Sequence, residues 1–159
     1  MNNRTNQIPF AMPLEKELFH NITISYDKLV TEISNLFKEY GVTLTQYDVL
    51  ESIKNAGKKG LPLLKIGERM LSRQPDVTRI VDRLEDVGWV TRVRDTKDRR
   101  VVYVRLSRRG LGLCEKIEGS LIKAHRDQFS HFSKNEMMLL NQLLIKIREK
   151  SIPLLKRLP

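Results

Sequence analysis

A single cysteine, Cys114, in a chain of 159 residues excludes an internal disulfide and a cysteine-built metal site. A reducing, intracellular compartment is the expectation. No run approaches the roughly 18 apolar residues of a membrane span. The first thirteen residues, M-N-N-R-T-N-Q-I-P-F-A-M-P, also lack the apolar core of a signal peptide, which predicts a cytoplasmic protein with no membrane partner. There is no Gly-rich phosphate loop, no nucleophile with a spaced base and no carboxylate pair in an apolar setting, so an enzyme is not expected. Internal repeats and low-complexity tracts are absent too. Aromatic residues are scarce at 6%, against 40% hydrophobic and 30% charged, the balance of a helix-rich globular protein. The length suffices for one core plus a helical appendage, burying roughly 70% of the unfolded surface.

Acidic residues are also in short supply: 19 against 29 Lys and Arg, a net charge of +10. The imbalance is local. Between Lys58 and Arg109 fifteen basic residues face seven acidic ones, so a third of the chain carries +8 of the +10. A polyanion is the natural partner, nucleic acid ahead of an anionic membrane, because ordered helix and strand patterns interrupt the basic block. A merely solvated basic face is the bland alternative.

Hydrophobic spacing divides the chain. Residues 1–13 read as a loose arm. Leu14, Leu18, Ile22, Leu29, Ile33, Leu36, Phe37 and Tyr40 then mark a long amphipathic helix up to Gly41. Thr45 followed by Asp48 predicts the N-cap of a second helix, with Tyr47, Leu50 and Ile53 buried and Gly57 as its stop. A short helix carries Leu63, Ile66, Met70 and Leu71. Another opens near Pro75 and buries Val77, Ile80, Val81, Leu84 and Val87, ending at Gly88. Its opposite face presents Pro75, Arg79, Asp82 and Asp86, flanked by Thr78 and Arg83. Residues 89–94 and 101–106 are β-rich and bracket the polar turn D-T-K-D-R-R, a hairpin with a charged tip. From Arg108 a helical period returns through Leu113 or Cys114, Ile117, Leu121, Ala124 or His125, and Phe129. Ser133 and Glu136 predict a capping box for a last helix with Met137, Leu140, Leu144 and Ile147.

Two short helices and a hairpin make a winged helix-turn-helix, in which the second helix enters the major groove. Its N-terminal residues are Arg73, Gln74, Pro75, Asp76, Thr78 and Arg79. Arg79 can pair in bidentate fashion with guanine, Gln74 with adenine, and Thr78 can touch a thymine methyl or a phosphate. Arg83, farther along, suits the backbone. Alternatively Arg79, Asp82, Arg83 and Asp86 pair among themselves on the helix surface. On the hairpin, Arg92, Arg94, Lys97, Arg99 and Arg100 form a cationic wing whose tip fits the minor groove. Asp98 is placed to hold the Arg100 guanidinium.

These residues resemble a known family. L-T-Q-Y-D-V-L-E-S-I at 44–53, I-G-E-R-M at 66–70, P-D-V-T-R-I-V-D-R-L-E-D-V-G-W-V at 75–90 and R-D-T-K-D-R-R-V-V-Y-V-R-L-S-R-R-G at 94–110 are similar to the MarR family of bacterial transcription regulators. The resemblance implies a mostly α fold with a small β wing. Residues 43–107 would form the DNA-binding lobe, and 14–42 with 108–159 a helical dimerisation region behind the arm at 1–13. It further implies a homodimer on a pseudo-palindromic double-stranded DNA operator, usually as a repressor, released by a small-molecule effector or an oxidant. Arg100 matches the family's minor-groove arginine, and Thr78 with Arg79 its recognition helix. A ligand-independent architectural DNA-binding protein is the alternative. Pro62 and Gly67 depart from the family, standing where many members have a capping Ser or Thr and an Ala.

Sensor chemistry is thin. Cys114 lies on an apolar stripe and reads as a small buried hydrophobe, away from the N-terminal position of the family's peroxide sensors. His20, His125 and His131 form no metal-ligand pattern, and no cofactor is called for. By location, Phe19, His20, Tyr26 and Tyr47 are candidate effector-pocket liners, with core packing the alternative for each.

Overall fold

The computed structural model describes residues 13–70 and 76–149, which comprise two compact units, one within 1–120 and one within 121–159. Along the chain run α1 (Leu14–Glu39), α2 (Leu44–Asn55), β1 (Leu61–Pro62), α3 (Leu63–Arg69), α4 (Val77–Asp86), β2 (Val90–Arg94), β3 (Val102–Leu106), α5 (Arg108–Gln128) and α6 (Lys134–Glu149). The proposed arm, apart from Pro13, lies outside the described residues, as do Leu71, Arg73, Gln74 and Pro75.

The core of the first unit gathers one apolar stripe from each element: Val49, Leu50 and Ile53 of α2, Ile66 of α3, Val81 and Leu84 of α4, Val90 and Val104 of the hairpin, and Cys114 of α5. Burial of such side chains is worth about 1.5–3 kcal/mol each, which is why helices of 7 and 10 residues hold here though they would be marginal alone. Stacking of Phe37 on Tyr47, with centroids 4.7 Å apart, joins α1 to α2.

Several local expectations change. The N-cap of α2 is Thr43, not Thr45: its Oγ1 accepts from the Gln46 amide at 3.2 Å, and Gln46 Oε1 accepts from the Thr43 amide at 2.9 Å. Asp48 is buried within the helix instead of marking its start. The first helix ends at Glu39, where Gly41 takes a positive φ of 71° and Val42 N donates to Phe37 O. Asp76 caps α4 by accepting from the Arg79 amide at 3.1 Å. Val87, expected in the core, sits past the last helical residue and is exposed. The hairpin gains a third strand, β1, pairing Leu61 with Val104 and Pro62 with Tyr103 in the order β1-β3-β2. Two residues, one of them proline, carry no alternation by which a strand is read.

The end of α4 is welded to the start of α5. Ser107 Oγ donates to Gly88 O at 2.7 Å and accepts from Gly110 N at 2.9 Å, while Arg109 Nη1 donates to Val87 O at 3.1 Å. The approach is so close that a Cβ on Gly110 would lie 2.0 Å from Trp89 O. Cys114 is fully buried, and burial pushes its thiol up to about 11.

In the second unit the foreseen capping box forms, with Glu136 N donating to Ser133 Oγ at 3.3 Å and Ser133 N to Glu136 Oε2 at 2.8 Å. None of the residues of α6 is buried, and Met137, Leu139, Leu140, Leu143, Leu144 and Ile147 are exposed.

Two glycines of α5 should therefore respond oppositely to alanine. Gly110→Ala must displace backbone and is expected to cost upward of about 2 kcal/mol. Gly112→Ala, with nothing within 4 Å of its Cβ, should gain up to about 1 kcal/mol. Urea unfolding of both variants measures this, and equal effects would refute the close contact. The native Cys114 thiol should resist alkylation at pH 8 and react only as fast as the chain opens. Its folded value lies above the ordinary thiol range. The stability it contributes is therefore complete below about pH 9 and declines as the pH rises from there to about 11.

Candidate nucleic-acid interface

The first turn of α4 presents Thr78 and Arg79 to solvent, with Arg83 one turn on, also exposed. The alternative of ion pairs along the helix does not hold among the described residues: Arg79 and Arg83 pair with neither Asp82 nor Asp86, and Asp82, with Glu85, is engaged elsewhere. Arg92 of β2 reaches back across the helix: its Nη2 donates to Asp82, its Nη1 to Glu85 Oε2 at 2.5 Å, and its backbone amide to Glu85 Oε1 at 3.0 Å. Burial alone would favour a neutral Arg92, but the hydrogen bonds to Asp82 and Glu85 outweigh it and hold the cation. Arg92 therefore leaves the set of wing cations expected to face a partner. It is a strut that holds the hairpin to α4.

The wing tip is organised by its own acids. Asp95 Oδ1 accepts from the amides of Lys97 at 2.6 Å and Asp98 at 3.2 Å, and these bonds pull its carboxyl below the ordinary range. Asp98 Oδ1 accepts from the backbone amide of Arg100 at 3.0 Å. It does not grip the Arg100 guanidinium as expected; a two-residue step suits an Asx turn, which closes on the main chain. Asp98 thus shapes the backbone at Arg100 and leaves the guanidinium unengaged. Arg94, Lys97, Arg99 and Arg100 are all exposed, and none has an ion pair among the described residues.

Beside α4 lies a cleft of about 340 Å³ lined by Asp76, Arg79, Ile80 and Arg83 and, from the other wall, by Thr43, Thr45 and Gln46. The second wall was not foreseen. The Thr43-x-x-Gln46 capping signature was its available trace in the sequence, overlooked in favour of Thr45.

Of the other candidates, Phe19, His20 and Tyr26 are exposed on α1, whereas Tyr47 is buried and its hydroxyl is pushed up to about 12, chiefly by that burial. Among the described residues no group of three or more His, Cys, Asp or Glu side chains could hold a metal ion. His125 Nδ1 lies 3.1 Å from Gln128 Oε1. No helix of the described residues is long and apolar enough to cross a membrane.

Comparison with known proteins agrees with this geometry. Residues 42–102 match the model of the MarR family. HTH-type transcriptional regulator SarZ of Staphylococcus aureus is 30% identical over 123 residues, 77% of this chain and 79% of SarZ. A variant of Escherichia coli MarR complexed with operator DNA has 25% identity and a TM-score of 0.74, over 86% of this chain and 99% of that one. A MarR-like transcription regulator of Bacillus cereus, at 22% identity, shares the fold with a TM-score of 0.76, over 85% of this chain and 96% of that one. The α4 helix with its hairpin is a winged helix-turn-helix, and the chain belongs to the MarR family of transcription regulators.

Proposed function

We propose that this regulator binds pseudo-palindromic duplex operators as a homodimer, acts as a repressor and is released by a small-molecule effector. One observation carries the DNA reading: a solvent-facing set of cations on α4 and the wing tip, while Arg92 takes up Asp82 and Glu85 of α4. In this reading Thr78 and Arg79 face base edges in the major groove, as would Arg73, Gln74, Pro75 and Asp76 around them. Arg83, Arg94, Lys97 and Arg99 meet phosphate, and Arg100 enters the minor groove on the turn that Asp98 shapes. Residues 43–107 serve as the DNA-binding lobe. Residues 14–42 and 108–159 supply the dimer contacts, for which the exposed Leu14, Leu18 and Ile22 of α1 and Leu140, Leu144 and Ile147 of α6 are the apolar material. Repression and effector release rest on family likeness. The operator of the related E. coli protein supports duplex DNA as the partner.

Selection of bound duplexes from a random pool should return one palindromic motif; broad coating of all sequences would favour an architectural protein instead. On the selected site, Arg79→Ala should cost roughly 1–3 kcal/mol and relax preference at one symmetric pair of positions, with little change in non-specific binding. Arg100→Ala should weaken binding most where A·T-rich flanks narrow the minor groove. Equal losses for every sequence would reduce both elements to an electrostatic patch. Lys97→Ala should flatten the slope of log affinity against log salt by about 0.9 per lost phosphate contact. Sedimentation should give twice the 18.6 kDa chain mass, and a monomer binding DNA with full affinity would refute the dimer.

A further inference from the structure

A helix ends on carbonyls that have no partner within it. Past the end of α4 the chain turns at Gly88, with a φ of 74°, and three successive carbonyls accept hydrogen bonds from the start of α5. Val87 O accepts from Arg109 Nη1 at 3.1 Å, Gly88 O from Ser107 Oγ at 2.7 Å, and Trp89 O from Ser107 N at 3.0 Å. The same Ser107 Oγ accepts from Gly110 N at 2.9 Å. One hydroxyl therefore caps α5 and closes the tail of α4. A helix cap alone needs only an acceptor, for which a carboxylate serves as well. Gly88 O needs a donor too, and a hydroxyl supplies both from one atom.

What this clasp does follows from how α4 is held. Its Val81 and Leu84 are fully buried, but apolar contact is non-directional and lets a helix rock on its stripe. Direction comes from the polar attachments. Arg92 holds the flank of α4 at Asp82 and Glu85, and the clasp holds its end from a different element. Arg79 lies seven residues before Asp86, the last of the helix, about 10 Å along the axis, so a tilt of about 6° at the clasp moves the first turn by about 1 Å. Attraction to phosphate barely changes over that distance, because it is screened over about 8 Å. A bidentate pair with a base edge does change, because its donor–acceptor window is only about 0.5 Å wide.

We propose that Ser107 is a positioning residue for base reading: itself outside the DNA interface, it joins the tail of α4 to the cap of α5 and so fixes the tilt at which Thr78 and Arg79 meet the bases. The inference rests on the reading of α4 given above and adds a residue that acts through it.

The test uses the full chain, the selected duplex and a scrambled duplex of equal length, with affinity for each and melting temperature as readouts. Ser107→Thr keeps both bonds of the hydroxyl. Ser107→Asp keeps an acceptor for Gly110 N but has no proton for Gly88 O, and Ser107→Ala has neither. The ratio of specific to non-specific affinity should stay within about twofold of the parent in Ser107→Thr and fall about tenfold or more in both Ser107→Asp and Ser107→Ala, with preference lost at the positions that Arg79→Ala relaxes. Melting should rank the variants differently, Ser107→Asp above Ser107→Ala, because a carboxylate still caps α5. On an Arg79→Ala background Ser107→Asp should change the ratio less than about twofold, since the two act on one contact. Arg109→Ala removes the Val87 bond from an exposed side chain, where folding is not at stake, and should lower the ratio about threefold. A ratio that follows melting, with Ser107→Asp close to the parent, or one unchanged in Ser107→Ala, makes Ser107 a helix cap alone and overturns the proposal while the DNA reading stands. If Ser107→Asp and Ser107→Ala do not fold, an unchanged ratio in Arg109→Ala overturns it. If the parent prefers no motif, both fall.

Discussion

A basic lobe that carries acids must keep them away from the cations it offers to a partner. In this chain Arg92 meets that constraint. Asp82 lies on α4 itself, three residues from Arg79, and left alone its carboxylate would draw that guanidinium down onto the helix surface, with Glu85 adding a second negative charge one turn on. By taking both carboxylates, Arg92 spends one cation and leaves Arg79 and Arg83 without an ion pair among the described residues. It also fixes the base of the hairpin against α4 with a forked geometry that a lysine could not reproduce. Exposed ion pairs are worth little individually. This one lies at the seam of two elements and is half sheltered, so its value is as much in orientation as in energy.

Position of α4 is then a matter of what holds its far end. Ser107 captures the Gly88 and Trp89 carbonyls and Arg109 that of Val87, while Gly110 N donates to Ser107 Oγ, so the end of α4 and the start of α5 are tied by hydrogen bonds. A rotation of α5 about its start would have to carry the end of α4 with it or break those bonds. Tyr40 with Ser120 at 2.6 Å and Lys54 with Glu118 at 2.6 Å fasten the same helix farther along to the end of α1 and to α2. So tied, the first half of α5 joins the end of α1, α2 and the end of α4 into one packed piece.

What could be read from the sequence follows from the range of the interaction involved. The helices and the hairpin were legible because each depends on its own periodicity: the stripe Ile80, Val81, Leu84 was visible as a pattern before its partners were known. The Ser133 and Glu136 cap was legible for the same reason, being complete within four residues. The α2 cap was misplaced by two residues because Thr43 and Thr45 are both plausible acceptors, and only the Gln46 side chain, turned back on the Thr43 amide, decides between them. Strand β1 and the pairing of Arg92 were illegible, since each exists only through residues 7 to 43 positions away. Asp98 was read with the right partner residue and the wrong donor, the guanidinium of Arg100 instead of its backbone amide. The cleft wall at Thr45 belongs to the same class: two helix starts 30 residues apart in sequence meet only in the fold.

The remaining surface makes a demand that a lone chain does not meet. A 16-residue helix with no buried residue and an apolar set at Met137, Leu140, Leu144 and Ile147 leaves uncovered the very area that stabilises such helices in water. The outer half of α1 repeats the problem with Leu14, Leu18 and Phe19. A second copy brings the same two surfaces and so offers a closed, two-fold solution in which each helix supplies what its counterpart lacks. That symmetry has a consequence for recognition. In the proposed dimer two winged lobes related by a two-fold axis would present two α4 helices to one duplex, and their separation would have to match a whole number of helical turns, about 34–36 Å or a multiple. The helices that pair the two copies would then set the spacing of the half-sites, while α4 and the wing would meet the bases within each.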